Sequence, residues 1–356
     1  MEGIIKFKQQ YLENSFPAFF EEFKQKEKAY QRAFIAHLKT INLDLFFYQA
    51  LKKHQFLNDL DSELIQPLKQ EFLLETGRDE FYKKQFFTFV DTSHFPILLL
   101  KGWQLRELIG ANLYKRSCDV DILVLENDFK EAISVLEKEF NFFQKPQYIA
   151  YGQQCMLNEN SMCVDLHKKL IAFKAFDTIF NLSAVELFKE SEEVTHQNVQ
   201  YYTFNIEMEF VHLCIHFLLH HEGYGFLLVY ELKSFLERHL LTMRTDKLLA
   251  IAKKHHCVEI VIYTLLIVEK LCVFDQKLKD WIQTFVTTHD VNSAVTDSFH
   301  KEFHKENFYQ NIGISNEVLK ELLLNDYSDK ITFVKAQISF KTYCFFRSLG
   351  KTLKIV

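Results

Sequence analysis

The chain is organised around two apolar stretches of strand length: residues 96–103 read PILLLKGW, and residues 116–125 read RSCDVDILVL. Neither stretch alternates cleanly between apolar and polar residues, which is typical of strands buried on both faces of a sheet. Residues two apart in a strand point the same way, so Asp119 and Asp121 present two carboxylates side by side. Two like charges so close repel each other unless a cation lies between them. The pattern therefore predicts a divalent metal site on this strand.

A third aspartate, Asp165, lies in a similar apolar stretch, MCVDLH at residues 162–167. If its strand lies beside the Asp119 strand, all three carboxylates converge on one point. Such a site suits Mg²⁺ or Mn²⁺, and Mg²⁺ takes its remaining ligands from water and substrate phosphates. These ions clamp the attacking and leaving oxygens of an in-line phosphoryl or nucleotidyl displacement. Lys101 and Gly102, which open the next helix, are expected to face the phosphates with a cation and backbone donors.

These motifs together resemble those of one protein family. The Lys-Gly pair after an apolar strand, Arg-x-x-Asp-x-Asp and a later Asp-Leu-His are similar to the uncharacterised nucleotidyltransferase family of the DNA polymerase beta-like superfamily. Further segments resemble the family's histidine-bearing helix, its acidic segment and its C-terminal arginine element, namely FVHLCIHFLLH at 210–220, LVYEL at 228–232 and FFRSL at 345–349. The resemblance runs from about residue 80 to the end. Trp103 departs from it, because the wider superfamily has a serine there, and Glu231 stands where an aspartate is more usual.

The residues and the resemblance together predict a metal-dependent nucleotidyltransferase, which moves an NMP from an NTP to an acceptor hydroxyl and releases pyrophosphate. We expect the catalytic Mg²⁺ ligands to be Asp119, Asp121 and Asp165, the last also able to serve as general base. We expect the nucleotide to be bound by Lys101, Gly102, Trp103 and Arg116. We expect the acceptor cleft to be lined by His167, His216, His220 and Glu231. The resemblance leaves the acceptor open as a small molecule, a peptide or protein, or an RNA end.

Several of these side chains also have a purely structural interpretation. Lys101 could reach solvent from the end of its strand, and His167 could make a structural hydrogen bond. Arg116 could pair with Asp119, although a guanidinium also fits phosphate oxygens. A calcium loop is excluded, because Ile122 and the residues after it are apolar where that loop needs polar ligands and a glycine.

The histidines of the 210–220 segment share one face of a helix, since His212, His216 and His220 are spaced four apart. Two histidines at this spacing can hold zinc, but the glutamate of a metalloprotease helix is missing. The same face continues an apolar stripe. A lining of the acceptor cleft and a buried structural role therefore both stay open for these imidazoles.

Two other functions would use the same residues. A catalytically silent binding or scaffold protein on the nucleotidyltransferase fold is favoured by Trp103 and disfavoured by the intact set of three aspartates. A phosphotransferase would instead move the γ-phosphoryl group at the same metal site. P-loop ATPases and Rossmann enzymes are disfavoured, since neither glycine-rich phosphate motif occurs in the sequence.

The composition is that of an ordinary globular protein, with 356 residues, 48% hydrophobic and 25% charged. Its 37 phenylalanines, 9 glycines and 4 prolines favour an aromatic core and helices with few breaks. A net charge of −5 gives no general attraction to nucleic acid or to an anionic membrane. Seven cysteines without a Cys-x-x-Cys motif, and an N-terminus unlike a secretory signal, predict a protein of the reducing cytoplasm.

The predicted fold class is α+β, a small mixed sheet flanked by helices on both sides in the sequence. We expect a helical N-terminal region at 1–90, a nucleotidyltransferase-like core at 91–205 and a C-terminal helical domain at 206–356. The core is expected to contain a helix capped at 127–128, a strand at 148–157, a turn at 158–161 and an edge strand at 200–204. C-terminal helices are predicted near 226–241, 245–256, 258–273, 276–288, 315–325 and 332–348, the last two in a basic tail.

Overall fold

The computed structural model describes residues 2–111, 114–116, 119–150, 152–171, 180–221, 223 and 225–288, with only the backbone for 146–150. Over these residues the chain forms thirteen α-helices and a seven-stranded mixed sheet. This architecture confirms the predicted fold class, a mixed sheet between N-terminal and C-terminal helices. No helix in this part of the chain is long and apolar enough to cross a bilayer.

Five helices precede the sheet, as the helical spacing of apolar residues predicted. They are α1 Glu2–Leu12, α2 Phe16–Lys24, α3 Lys28–Thr40, α4 Asp44–Lys53 and α5 Ser62–Thr92. The longest of them, α5, is capped by Asp61, whose carboxylate accepts a hydrogen bond from the backbone N–H of Glu63 at 3.0 Å. This helix covers one face of the sheet, with Phe86 and Phe89 in the apolar layer beneath it.

The sheet has the strand order β3-β4-β5-β2-β1-β7-β6. Its elements are β1 Leu98–Leu100, α6 Trp103–Leu108, β2 Asp119–Leu123, α7 Phe129–Phe140, β3 Phe143–Ala150, β4 Gln153–Leu157, β5 Cys163–His167, α8 Ala184–Phe188, β6 Ser191–His196 and β7 Val199–Phe204. Strand β2 runs parallel to β5 and antiparallel to β1, and β1 runs parallel to β7. The predicted neighbourhood of the Asp119 and Asp165 strands is therefore confirmed.

Three details of the sheet differ from the sequence-based expectation. The predicted strand at 148–157 is two strands, because the chain turns at Gly152, which has φ +76° and leaves no room for a Cβ beside Lys169. The predicted edge strand is β7, which lies inside the sheet, and the edge is β6. The polar sequence of β6 gives no apolar strand signal. Helix α7 begins after Asp128 as expected, but the Asp128 side chain makes no capping hydrogen bond.

The C-terminal helices follow the predicted pattern closely. They are α9 Ile206–Ile215, continued by a π-helical turn at His216–His220, and then α10 Phe226–His239, α11 Thr245–Lys254, α12 Val258–Leu271 and α13 Gln276–Thr288. Asn205 caps α9 by accepting a hydrogen bond from the backbone N–H of Met208 at 2.9 Å. The predicted helices at 315–325 and 332–348, and the arginine element at Arg347, lie outside the described residues.

Two apolar layers sandwich the sheet. Val120 and Ile122 face α5 and α7, whereas Leu123 and Leu100 face a larger cluster built from the N-terminal and C-terminal helices. In that cluster Phe7 of α1 and Phe46 of α4 lie against Phe226 of α10, with ring centroids 6.1 and 5.0 Å apart. The N-terminal helices thus pack on the C-terminal helices, and the three-part domain division stays a prediction.

Candidate active site

Three neighbouring strands at the centre of the sheet bring the predicted aspartates together. In the parallel β2–β5 pair, Asp121 lies opposite Asp165, and in the antiparallel β1–β2 pair it lies opposite Leu100. Asp119 shares the face of Asp121 because it is two residues away. One carboxylate oxygen of each aspartate lies within 4.8 Å of those of the other two. This is the convergence that the spacing predicted, and an oxygen-only cluster of this size suits a hard divalent cation.

The charges of this cluster are unequal. Limited solvation by the surrounding protein, and the charges of Asp121 and Asp165, raise the pKa of Asp119 to about 6. Burial and the charge of Asp121 likewise raise the pKa of Asp165. Burial alone would also raise the pKa of Asp121, but Lys101 and a hydrogen bond with His167 outweigh it and lower that pKa. Asp121 is thus held ionised, and its two neighbours gain most from an added cation.

Lys101 and Gly102 follow β1 directly and stand next to the cluster. The Nζ of Lys101 lies 3.7 Å from an Oδ of Asp121. Both residues have positive φ, +58° for Lys101 and +72° for Gly102, and the Gly102 pair of φ +72° and ψ −133° is open only to glycine without strain. A Cβ on Gly102 would meet no atom of the described residues within 4 Å. Glycine is needed here for the backbone conformation and not for lack of room beside these residues.

Trp103 points away from the aspartates. Its indole lies on the opposite side of the sheet, where its ring centroid is 5.0 Å from Phe86 and 6.1 Å from Phe87 of α5. The side chain is buried, and its Nε1 has no hydrogen-bond partner among the described residues. This side-chain position does not support the prediction that Trp103 binds nucleotide. The indole instead packs α6 against α5.

Arg116 is used in a way that the sequence did not indicate. Its guanidinium donates to both carboxylate oxygens of Asp44 at 2.8 and 2.7 Å, and to Glu71 at 3.1 Å. Asp44 is 1% exposed, so this is a largely buried bidentate pair. These partners differ from the pair with Asp119 that the sequence suggested, and the phosphate contact of Arg116 stays a prediction. Arg116 fixes the segment before β2 to α4 and α5.

Lys115 is a cation near the site that sequence reasoning overlooked. Its Nζ donates to Oε1 of Glu231 at 2.7 Å, and the hydroxyl of Tyr114 donates to the same oxygen at 2.6 Å. Desolvation would lower the pKa of Lys115, but the charges of Glu231 and Asp119 outweigh it and raise that pKa. Its position just before the Asp-x-Asp strand was the available signal. Glu231, expected to line the cleft, is 1% exposed and holds Tyr114 and Lys115.

His167 lies on the aspartate face of β5. Its Nε2 is 3.4 Å from an Oδ of Asp121, and its Nδ1 is buried without a partner. The structural hydrogen bond considered for this residue is thus to a predicted metal ligand. His167 thus lies by one oxygen of the Asp121 carboxylate and Lys101 by the other, which orients this carboxylate.

The predicted histidine helix lies beside Lys101. Burial, and after it the charge of Lys101, lowers the pKa of His216 well below its usual value. The pKa of His212 is also lowered, chiefly by burial. His216 is half-buried, and in the described part of the chain its Nδ1 has no hydrogen-bond partner. The exposed His220 lies 5.3 Å from His216 between ring centroids. The π-helical turn begins at His216, and such turns are frequent at functional sites. The helix thus presents neutral imidazoles toward the aspartate side of the sheet.

Two large cavities lie away from the aspartates. One, of about 670 Å³, lies between the N-terminal helices and α10 and is lined by Tyr11, Lys52, Tyr114, Tyr230, Lys233 and Arg238 among others. The other, of about 660 Å³, lies beside Trp103 and Tyr201. Neither includes the three carboxylates. The first cavity is lined by Tyr114, which shares Glu231 with Lys115.

Comparison with known proteins gives a family and one structural likeness. The family model described as "Uncharacterised nucleotidyltransferase" matches residues 27–272. The match begins well before residue 80, where the motifs begin, and ends before the Arg347 element. No curated protein matches the chain. The lincomycin-bound crystal structure of the lincosamide antibiotic adenylyltransferase LnuA is similar at 15% identity and a TM-score of 0.29, over 44% of this chain and 94% of that one. That likeness is too slight to bear on fold or function here.

The family match extends over well more than half of the chain. It includes every site residue that the sequence predicted: the Lys-Gly pair, the three aspartates, the histidine helix and Glu231. The chain therefore belongs to the uncharacterised nucleotidyltransferase family, as its motifs indicated.

Proposed function

We propose that this chain transfers an NMP from an NTP to an acceptor hydroxyl, with Mg²⁺ held by Asp119, Asp121 and Asp165. The observation that carries the proposal is the convergence of the three carboxylates within 4.8 Å beside Lys101. Family membership supports nucleotidyl transfer. Mg²⁺, or Mn²⁺, would supply the charge that stabilises the transferring phosphoryl group.

In the proposed reaction, an oxygen of the acceptor hydroxyl attacks the α-phosphorus of the NTP. A new P–O bond forms, and the bond to the bridging oxygen of pyrophosphate breaks. Asp165 accepts the hydroxyl proton, a role supported by its position opposite Asp121 in the cluster. Lys101 and the open backbone of Gly102 bind the departing phosphates, and Lys115 adds a second positive charge on the Asp119 side.

The acceptor is proposed to lie between the sheet and the histidine helix. His216 and His220 offer polar groups there, and the unpartnered Nδ1 of His216 can donate or accept one hydrogen bond. Glu231 acts indirectly, because it binds and positions Lys115.

We also propose that the chain has three regions, at 1–90, 91–205 and 206–356. A cytoplasmic location is consistent with the five free cysteines of the described residues.

A catalytically silent binding protein is the second candidate. It is favoured by one observation, the replacement of a phosphate-binding hydroxyl by the buried indole of Trp103. The chain would then bind NTP and Mg²⁺ without turnover.

The test is incubation of the purified chain and Mg²⁺ with each α-labelled and γ-labelled NTP, together with pools of small molecules, peptides and RNA. Release of labelled pyrophosphate from the γ-label, with the α-label joined to an acceptor, supports nucleotidyl transfer. Transfer of the γ-label with release of NDP would instead identify a phosphotransferase. Tight NTP binding without any product would identify the silent protein. Asp121→Asn is the matched inactive control in all arms.

A further inference from the structure

We propose that Cys155, Cys163 and Asp165 form a second metal site, for a thiophilic divalent cation such as Zn²⁺, which shares Asp165 with the three-aspartate site. The thiols lie on the aspartate face of the sheet, where the Mg²⁺ mechanism does not use them. The effect of zinc on turnover rests on the proposed function, whereas zinc binding does not.

Strand pairing places the three ligands together. In the β4–β5 pair Cys155 lies directly opposite Asp165, and Cys163 precedes Asp165 by two residues on the same strand. All three side chains therefore point to one face. The two Sγ atoms are 3.1 Å apart, the Sγ of Cys163 is 3.7 Å from an Oδ of Asp165, and one ligand atom of each residue lies within 4.8 Å of the others.

These distances fit a tetrahedral ion after a small adjustment. Two Zn–S bonds of about 2.3 Å at a tetrahedral angle separate the sulfurs by about 3.8 Å, so the thiols need to part only slightly. A carboxylate oxygen at about 2.0–2.2 Å completes three protein ligands, and water takes the fourth position. Cys155 is buried and Cys163 half-buried, so the ion would be shielded on the thiol side.

The ligand chemistry separates the two sites. Sulfur ligands select zinc and similar soft ions, whereas the three carboxylates suit Mg²⁺. A disulfide is the other use for two close thiols, but these cysteines are diagonal neighbours across β4 and β5. Diagonal Cα atoms are usually about 7–8 Å apart, beyond the reach of a disulfide without backbone movement. Zinc binds the thiolate form of cysteine, so its binding would displace the thiol protons.

Sharing of Asp165 has a consequence for turnover. A zinc ion bound to this carboxylate competes with Mg²⁺ for its oxygens and occupies the lone pairs that would accept the acceptor's proton. Zinc at one equivalent is therefore expected to inhibit nucleotidyl transfer even in a large excess of Mg²⁺.

Binding is tested with metal-free full-length protein in millimolar Mg²⁺, titrated with Cd²⁺ and followed by the ultraviolet cadmium–thiolate absorption. We expect one equivalent of Cd²⁺ to bind and Zn²⁺ to displace it. Cys155→Ser with Cys163→Ser should abolish the band, and the matched control Cys214→Ser, which changes a buried cysteine of α9, should keep it. A band that survives the double substitution, or no band in the wild type, overturns the site.

A second measurement needs no variant. Zinc should protect the half-buried Cys163 of the wild-type chain from alkylation, as read by mass spectrometry, whereas the buried Cys214 should stay unlabelled with and without zinc. Equal labelling with and without zinc overturns the proposal.

The inhibition is tested by comparing each protein with its own zinc-free turnover. One equivalent of Zn²⁺ should reduce wild-type transfer at least tenfold and leave the double variant within twofold. Equal inhibition of both proteins would show that zinc acts elsewhere and overturns the regulatory part. If no protein turns over under any condition, the proposed function fails, and the cadmium band still decides the metal site.

Discussion

The two faces of the central sheet differ on β2 and β5: one is apolar, and the other carries charged groups beside Leu123, which packs on the larger apolar cluster. On β2 and β5, Val120, Ile122, Val164 and Leu166 are buried under α5 and α7. The residues between them, Asp119, Asp121, Asp165 and His167, present charge and hydrogen-bonding groups to the other side. A strand period of two is enough to separate a stabilising layer from a chemical one. The apolar face fixes the strands, and the fixed strands hold the carboxylates within 4.8 Å without help from a loop.

The largest expected effect is on the polar face, where Asp121→Asn should lower metal-dependent transfer by about 10³-fold or more, comparable with the loss of a principal electrostatic stabiliser. The fold should persist, with a melting temperature within a few degrees of wild type, because the amide keeps the size of the side chain. Turnover assays and thermal melts in EDTA and in Mg²⁺ measure both. Full activity, or a large loss of stability in EDTA, would show that Asp121 is structural.

The neighbouring residue provides the matched test of the apolar face. Ile122→Ala should reduce the free energy of unfolding by about 2–5 kcal/mol, the range for a large-to-small substitution in a core. Turnover per folded molecule should stay close to wild type at temperatures below the transition. Denaturant unfolding and active-site titration with NTP measure the two quantities. If Ile122→Ala destroyed activity in the folded protein while leaving stability unchanged, the separation of the faces would be false.

The features that could be predicted from the sequence are those that depend on the periodic spacing of residues within one strand or helix. The strand period of two placed Asp119 and Asp121 on one face, and Asp165 joins them there because β5 pairs with β2. The five N-terminal helices and the helices from 206 to 288 were likewise visible in the spacing of apolar residues. The polar edge strand β6 was missed because few of its side chains are buried.

Long-range partners could not be predicted in this way. Arg116 binds Asp44, 72 residues earlier, and Lys115 binds Glu231, 116 residues later. Nothing local to Arg116 distinguishes a buried carboxylate from a phosphate as its partner, since both fit a guanidinium. The packing of Trp103 against α5 decides on which side of the sheet its side chain lies. This is again a tertiary effect.

Lys101→Ala tests the comparison of the two faces just after β1, where Lys101 lies on the aspartate side and Trp103 on the apolar side. It should weaken NTP binding by about 1–3 kcal/mol, the range for a charge-assisted hydrogen bond, and raise the pKa of Asp121 by removing a neighbouring cation. Calorimetric NTP titration measures the affinity. Trp103→Phe is the control, because an aromatic ring against Phe86 is kept, and its NTP affinity should be unchanged. The opposite ranking of the two variants would place the phosphate site elsewhere.

The smallest expected effect concerns the helix that faces the carboxylates across the proposed cleft. His216→Ala removes a neutral imidazole beside Lys101, and with it about one hydrogen bond to the acceptor, worth about 0.5–1.5 kcal/mol. We expect kcat/KM for the acceptor to fall by about 2–12-fold, with NTP and Mg²⁺ affinities unchanged, because the proposed site places the acceptor and neither NTP nor Mg²⁺ against this side chain. His196→Ala, on the edge strand β6 where its ring stacks on Phe87, is the control and should leave all three quantities at wild-type values. An equal loss in NTP affinity would place His216 in the nucleotide site, and no change in any quantity would remove the histidine helix from the cleft.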